Sequence, residues 1–226
     1  MKRLDELRIE VIESQPFAEN TYVIWNPPDR KAIIVDPGFD TRSILELIEE
    51  ESLEPIAILN THGHADHIAG NRVTKQAFPE APIVIGAGEA ELLVDPELNL
   101  SAPFGMPVTS PPADRLVREG ERLELIGLAF EILEIPGHSP GSVVFACLET
   151  APPFVLGGDV IFRGSVGRTD FPGGSMRVLV EGIHGKLFTL PDATVILSGH
   201  GEPTTIREEK EYNPFVGRNS GRRGPA

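Results

Sequence analysis

Thr61-His62-Gly63-His64-Ala65-Asp66-His67 places three imidazoles and a carboxylate within six positions, directly behind the apolar run Ile56-Ala57-Ile58-Leu59. Neutral imidazole nitrogen and carboxylate oxygen are good ligands for zinc, iron or manganese, and a cation gives a reason for holding such groups so close together. Taken alone, Asp66 would pass for a helix-start residue, where Asp is common. The remaining ligand-type residues decide whether a complete site exists.

Their placement repeats one layout. The run ending at Ile135 leads into Pro136-Gly137-His138, Phe154-Val155-Leu156 into Gly157-Gly158-Asp159, and Val195-Ile196-Leu197 into Ser198-Gly199-His200. Four apolar runs thus deliver ligand-type residues just past their ends, three of them through glycine, which permits tight turns. Such residues are expected to converge at one edge of a sheet assembly, on loops held by rigid strands. Five of the six histidines follow this layout, and the sixth, His184, falls inside a predicted helix, where an ordinary structural role is expected. Seven ligands exceed one tetrahedral ion. They suit two divalent ions sharing a carboxylate, with a water between them acidified toward neutrality, which is hydrolytic chemistry.

The totals narrow the partners. The chain has 226 residues, 40% hydrophobic and 24% charged, the composition of a globular domain. A single domain over 1–215 and a frayed Gly- and Arg-rich tail over 216–226 are expected. The formal net charge of -14 argues against nucleic acid and anionic membrane as partners, since both call for a basic surface. The one cysteine, Cys147, allows no intrachain disulfide and sits in a strand pattern, so it is read as core. The N-terminus turns acidic at Asp5-Glu6 and no apolar run approaches a membrane span, so a cytoplasmic location is expected.

Alternation and apolar runs predict strands over 7–13, 22–25, 32–35, 56–59, 82–85, 122–125, 129–133, 142–148, 154–156 and 194–197. Helices are predicted from Asp40 or Thr41 to about Ser52, from Asp66 or His67 to about Phe78, over 177–188 and over 205–211. Residues 86–118, rich in proline, read as a short helical piece and a surface loop or lid. Strands with interspersed helices in both halves suggest two sheets covered by helices.

The Thr-His-x-His-x-Asp-His stretch with the later His138, Asp159 and His200 resembles the metallo-β-lactamase superfamily, over roughly residues 8–215. The resemblance implies an α/β (α+β) fold, an αββα sandwich of two mixed sheets flanked by helices. It implies that His62, His64 and His138 bind one metal, that Asp66, His67 and His200 bind a second, and that Asp159 bridges them. Zinc is the expected metal, with iron or manganese as alternatives. Pro136 to Ser142, Gly158 to Phe162, Gly167 to Gly174 and Ser198 to Gly201 through Asn213-Pro214-Phe215 are similar to the short, single-domain glyoxalase II-like hydrolases. This implies a thioester hydrolase acting on S-lactoylglutathione or a related small-molecule acyl thioester through a metal-bridging hydroxide. Catalysis would depend on His64, Asp66 and Asp159, and Arg168 would help to bind a glutathione carboxylate, although pairing with Asp170 is an equal reading of that arginine. The absence of the C-terminal helical domain of classical glyoxalase II bears against full glutathione specificity. Asp36 offers either an outer hydrogen bond to a ligand imidazole or a strand-end turn. Gly167 to Phe171 also resembles the persulfide dioxygenases, whose single iron would use His62, His138 and Asp159. A metal-binding domain without turnover is the non-enzymatic alternative. A secreted β-lactamase, many of which carry Cys where Asp159 stands, and a nuclease are disfavoured.

Overall fold

The computed structural model describes residues 2–27, 29–218 and 220. The first sheet holds β1 (Arg8–Ser14), β2 (Glu19–Trp25), β3 (Lys31–Val35), β4 (Glu54–Asn60), β5 (Ile83–Gly86) and β6 (Arg115–Val117), neighbours in that order. The first two pairings are antiparallel and the last three parallel. The second sheet holds β7 (Arg122–Leu125), β8 (Leu128–Glu134), β9 (Val143–Cys147), β10 (Phe154–Gly158), β11 (Val195–Ser198) and β12 (Thr204–Thr205), again in chain order. Only its β10–β11 pair is parallel.

Parallel neighbours need crossovers, and the helices supply most of them. α1 (Thr41–Glu50) links β3 to β4, α2 (Ala65–Ile68) and α3 (Asn71–Ala77) link β4 to β5, and α4 (Met176–Gly185) links β10 to β11. α5 (Ile206–Tyr212) follows β12. Alternate residues of the central strands point to opposite faces, and both faces are buried. Ile33, Leu59 and Tyr22 of the first sheet meet Phe130, Phe145, Phe154 and Leu156 of the second in the central core. On the outer faces Ile34 packs on Ile44 and Ile48 of α1, and Val144, Val155 and Ile196 pack on Leu179 and Ile183 of α4. Two mixed sheets face to face with helices outside form the αββα sandwich that the family resemblance implies.

Some element boundaries differ from expectation. α1 begins after Asp40, whose side chain accepts from the Ser43 amide at 3.2 Å, and ends at Glu50 rather than Ser52. The helix expected from Asp66 to Phe78 is two short helices broken at Gly70. There the chain touches the turn after β3: the Gly70 amide donates to the Pro37 carbonyl at 2.7 Å, and an added Cβ would lie 2.7 Å from the Gly38 oxygen. Between 86 and 118 the structure has 3-10 turns at Ala87–Glu89 and Ala102–Phe104 and the short strand β6, which buries a single side chain, Val117. Cys147 is buried in β9. In the expected tail, Val216 is buried and its carbonyl accepts from His184 Nε2 at 2.7 Å, so order extends past residue 215. Residues 219 and 221–226 lie outside the described residues. No helix among the described residues is long and apolar enough to cross a membrane.

The two sheets are stitched together along one edge. The Asn20 amide donates to the Gly199 carbonyl at 2.7 Å, its side chain donates to the carbonyls of Ser198 at 3.1 Å and Gly201 at 2.8 Å, and Tyr22 Oη donates to Ser198 at 2.7 Å. The Val143 amide donates to the Thr61 carbonyl at 2.8 Å. Asn20→Ala removes both of these side-chain bonds and leaves the Gly201 carbonyl without that donor, while Ser198 keeps Tyr22. It should cost about 1–3 kcal/mol of folding stability, measured by urea or thermal denaturation. An unchanged transition would show that this seam contributes nothing.

Candidate metal centre

At this stitched edge the structure brings together all seven residues that the sequence singled out. His62, His64 and His138 form one cluster of ligand atoms, and Asp66, His67 and His200 another. His62 Nε2 lies 3.1 Å from His64 Nδ1 and 3.3 Å from His138 Nε2. In the second cluster His200 Nε2 lies 3.4 Å from Asp66 Oδ2, and His67 Nε2 lies 3.8 Å from it. Asp159 stands between them. Its Oδ2 is 3.4 Å from His138 Nε2 and 3.5 Å from His200 Nε2, and its Oδ1 is 3.4 Å from His67 Nε2.

The outer nitrogen of four of these rings is already engaged. His67 Nδ1 donates to Asp36 Oδ2 at 3.1 Å, His138 Nδ1 to the Arg168 carbonyl at 2.8 Å, and His200 Nδ1 to the Ala18 carbonyl at 3.1 Å. His62 Nδ1 lies 3.1 Å from Thr61 Oγ1, whose own proton goes to Asp36 Oδ2 at 2.6 Å, so the imidazole is the donor in that contact. An imidazole that donates from Nδ1 presents a lone pair at Nε2. The Nε2 lone pairs of these four rings are therefore turned inward. His64 is the exception, turning Nδ1 to the cluster.

Asp36 carries much of this arrangement. It ends β3 at φ +48°, a left-handed conformation that costs a non-glycine residue energy. From there Oδ1 accepts the Thr61 amide at 2.7 Å while Oδ2 serves Thr61 Oγ1 and His67. Both sequence readings of Asp36, the imidazole partner and the strand-end turn, are realised at once. Gly158 is also constrained: at φ +49° an added Cβ would run into the Thr61 side chain.

These residues fit a metal ion. His67 Nε2 and Asp159 Oδ1 are buried and have no hydrogen-bond partner. His62 Nε2 faces two ring nitrogens with its one proton on the opposite side. Ligands placed tetrahedrally about 2.0–2.1 Å from an ion are about 3.3–3.4 Å apart, and the spacings here cluster around that value.

A cavity of about 380 Å³ opens onto the clusters, lined by the apolar side chains of Phe17, Leu100, Phe162, Val166 and Phe171 beside His64, Asp66, His138, Asp159 and His200. Phe171 sets its ring edge-on to His64 at 5.6 Å. Arg168 also lines the cavity, but its guanidinium holds Asp170 through two bonds of 2.8 Å and lies 4.0 Å above the Phe171 ring. Its backbone carbonyl, not its charge, touches a candidate ligand. His184 is remote from the site, stacked on Phe188.

Two buried carboxylates escaped the sequence reading. Glu19, at the start of β2, pairs its backbone with that of His200 in an isolated antiparallel β-bridge, and burial pushes its carboxyl well above the usual carboxylate range. Glu89 follows β5 and accepts bonds from both loops that carry the first cluster. A signal for Glu89 was present: Ile83-Val84-Ile85 leads into Gly86-Ala87-Gly88-Glu89 in the same layout of apolar run, glycine and polar residue.

Comparison with known proteins agrees with this geometry. The family model for the Metallo-beta-lactamase superfamily matches residues 14–200. The chain is 39% identical over 202 residues to the probable metallo-hydrolase YqgX of Bacillus subtilis, covering 89% of this chain and 93% of that one. It is 38% identical to the hydroxyacylglutathione hydrolase GloC of Haemophilus influenzae, covering 93% and 98%. Among solved structures it is similar to the BLEG-1 B3 metallo-beta-lactamase (TM-score 0.88, 38% identity, covering 92% and 99%). It is also similar to TTHA1623 in a di-iron-bound form (0.80, 33%, 92% and 100%) and to ETHE1 from Myxococcus xanthus (0.76, 27%, 92% and 84%).

Without metal, the clusters should give stability a definite pH optimum. Burial and the neighbouring imidazoles hold His62 far below its ordinary 6.5 and bring His64 to about 3. Burial opposes charge on His67 and His200 as well, but Asp66 and Asp159 outweigh it and raise both; for Asp66 and Asp159 the facing imidazoles outweigh burial and lower both. Below 6.5 the unfolded chain takes up protons that folded His62 and His64 refuse, and below about 3.8 it does so again at the two aspartates, so stability falls with falling pH. Above 6.5 the folded chain keeps protons on His67 and His200 that the unfolded chain releases, so their contribution is lost as pH rises through their folded pKa values. Burial also raises Glu19 and Glu89, whose contribution is lost as pH rises above their ordinary 4.5, so denaturation of the metal-stripped protein from about pH 2 to 9 should show stability falling both below about 3.8 and above about 6.5. A steady rise through pH 8 would contradict these assignments.

Proposed function

The chain belongs to the Metallo-beta-lactamase superfamily, and from that premise we propose that it is a metal-dependent hydrolase of acyl thioesters. The observation that supports this most is the pair of ligand clusters joined through Asp159 at the floor of a largely apolar cavity. His62, His64 and His138 would hold one divalent ion and Asp66, His67 and His200 a second, with Asp159 between. Such ions supply an activated water at neutral pH and polarise the carbonyl under attack. The chain's own part is to keep the lone pairs of His62, His67, His138 and His200 turned inward by fixing their outer protons. Ionised Asp66 and Asp159 neutralise positive charge, and the walls formed by Phe162 and Phe171 limit water beside the reacting carbon.

The 38% identity to a hydroxyacylglutathione hydrolase makes a glutathione thioester the first substrate to test. Arg168 is the cation on the cavity wall suited to a glutathione carboxylate. Its pair with Asp170 is exposed on both sides, and such pairs are weak enough to be exchanged for a substrate group. A second reading, oxidation of a persulfide at a single iron held by His62, His138 and Asp159, draws on the Gly167 to Phe171 stretch and the likeness to ETHE1. It leaves the Asp66, His67 and His200 cluster without a task.

His64→Ala should abolish hydrolysis of S-lactoylglutathione while the circular dichroism spectrum stays that of the folded chain. Full turnover in that variant would end the assignment. Metal analysis with an oxygen electrode separates the readings: one iron per chain with oxygen uptake on glutathione persulfide selects the second. Inactivity toward thioesters, lactones and β-lactams at full metal loading would leave a binding domain. Arg168→Ala should raise KM for a glutathione thioester several-fold, leave kcat nearly unchanged and spare esters of an uncharged thiol. An equal effect on both kinds of ester would remove Arg168 from carboxylate recognition.

A further inference from the structure

We infer that Glu89 is a positioning residue: a buried carboxylate that locks the loop carrying His62 and His64 to the loop carrying His138, and so sets the ion affinity of that cluster alone. The inference rests on the reading of the cluster as a metal site. Glu89 Oε2 accepts the amide of Gly63, the residue between His62 and His64, at 2.8 Å. Glu89 Oε1 accepts Ser139 Oγ at 2.8 Å and the Gly141 amide at 2.5 Å, and Ser139 directly follows His138. All three bonds therefore end on the two ligand loops. The carboxylate is fully buried. Burying such a group is unfavourable unless its lone pairs are met, and here three donors meet them.

The geometry requires a carboxylate. Donors approach both oxygens, so an amide of the same size must turn its NH2 toward at least one N–H or O–H. Backbone contact adds to the lock, since a Cβ on Gly141 would stand 2.6 Å from the Gly88 Cα. The second cluster depends on other groups, with His67 held by Asp36 and His200 by the Ala18 carbonyl. Loss of Glu89 should therefore act on one cluster and spare the other.

The test is a Co²⁺ titration of metal-stripped wild-type protein, Glu89→Gln and Ser139→Ala, followed by calorimetry and by the visible absorption of the bound ion. Glu89→Gln should weaken one of the two equivalents about 10- to 100-fold, the range usual for partners that orient ligands, and leave the other within about two-fold. Ser139→Ala, which removes one bond of the three, should weaken the same equivalent by less, and it carries the test if Glu89→Gln does not fold. Unchanged binding at both equivalents would overturn the inference. So would equal weakening of both, which is the signature of general destabilisation. A wild-type chain that binds a single ion sinks the two-ion reading alone, because Glu89→Gln must still weaken that ion if Glu89 positions it. A wild-type chain that binds none sinks both.

Discussion

Four imidazoles whose outer protons are fixed converge on one another and on the carboxylates of Asp66 and Asp159, so that burial and crowding by other rings keep His62 neutral while the carboxylates favour a proton on His67 and His200. His62 Nε2 faces His64 and His138 at 3.1 and 3.3 Å with no proton of its own to share. No local preference of the chain would hold these groups so. The central core must do it, through Ile33, Leu59, Phe130, Phe145 and Phe154 packed between the sheets, and through the seam at Asn20, Tyr22 and Val143 that keeps the strand ends together. The loops that carry the ligands are short extensions of buried strands, so the cost of crowding them falls on the best-packed part of the molecule. Strain is stored beside the site as well, in the left-handed backbone of Asp36.

The ligands were legible in the sequence because their signal is local. Three histidines and an aspartate within six positions are improbable as surface residues, and glycine at the ends of apolar runs marks where the others emerge. The two-sheet architecture was legible for the same reason, since period-2 alternation and short apolar runs are written residue by residue. What escaped depends on contacts across the chain. Glu89 is 52 positions from Gly141. The apolar run and glycines ahead of Glu89 mark its place at a strand end, but nothing local says that its carboxylate will be buried against two other loops. The break at Gly70 was invisible because its cause is the turn at Pro37 and Gly38, and β6 was invisible because a strand that buries only Val117 has almost no apolar pattern. Arg168 was visible as a charge, yet its contact with the candidate ligands is made by its backbone, which any residue type could provide.

The supports of the two clusters differ, with Asp36 common to both through Thr61, and that difference bears on how one frame can serve different chemistries. The three-histidine cluster is tied down by Glu89 from the end of β5. The second cluster is tied by Asp36 from the end of β3 and by the Ala18 carbonyl ahead of β2. Three residues reach across, among them His62, whose ring also groups with His67 and Asp159. Asp159 faces His138 and His200 through the same oxygen at 3.4 and 3.5 Å, and Thr61 relays Asp36 to His62. A change in the support of one cluster can therefore alter the affinity for its ion without dismantling the other, and the number of ions held becomes adjustable by residues that touch neither ion nor substrate. The cavity walls form a third unit. Phe17, Leu100 and Phe171 come from loops, and Phe162 and Val166 from a short hairpin that follows Asp159, so the walls can vary at positions that are not themselves candidate ligands. On the reading proposed above, reaction type would follow from how many ions the clusters hold and substrate class from the walls, so a ligand set can identify the superfamily without identifying the substrate.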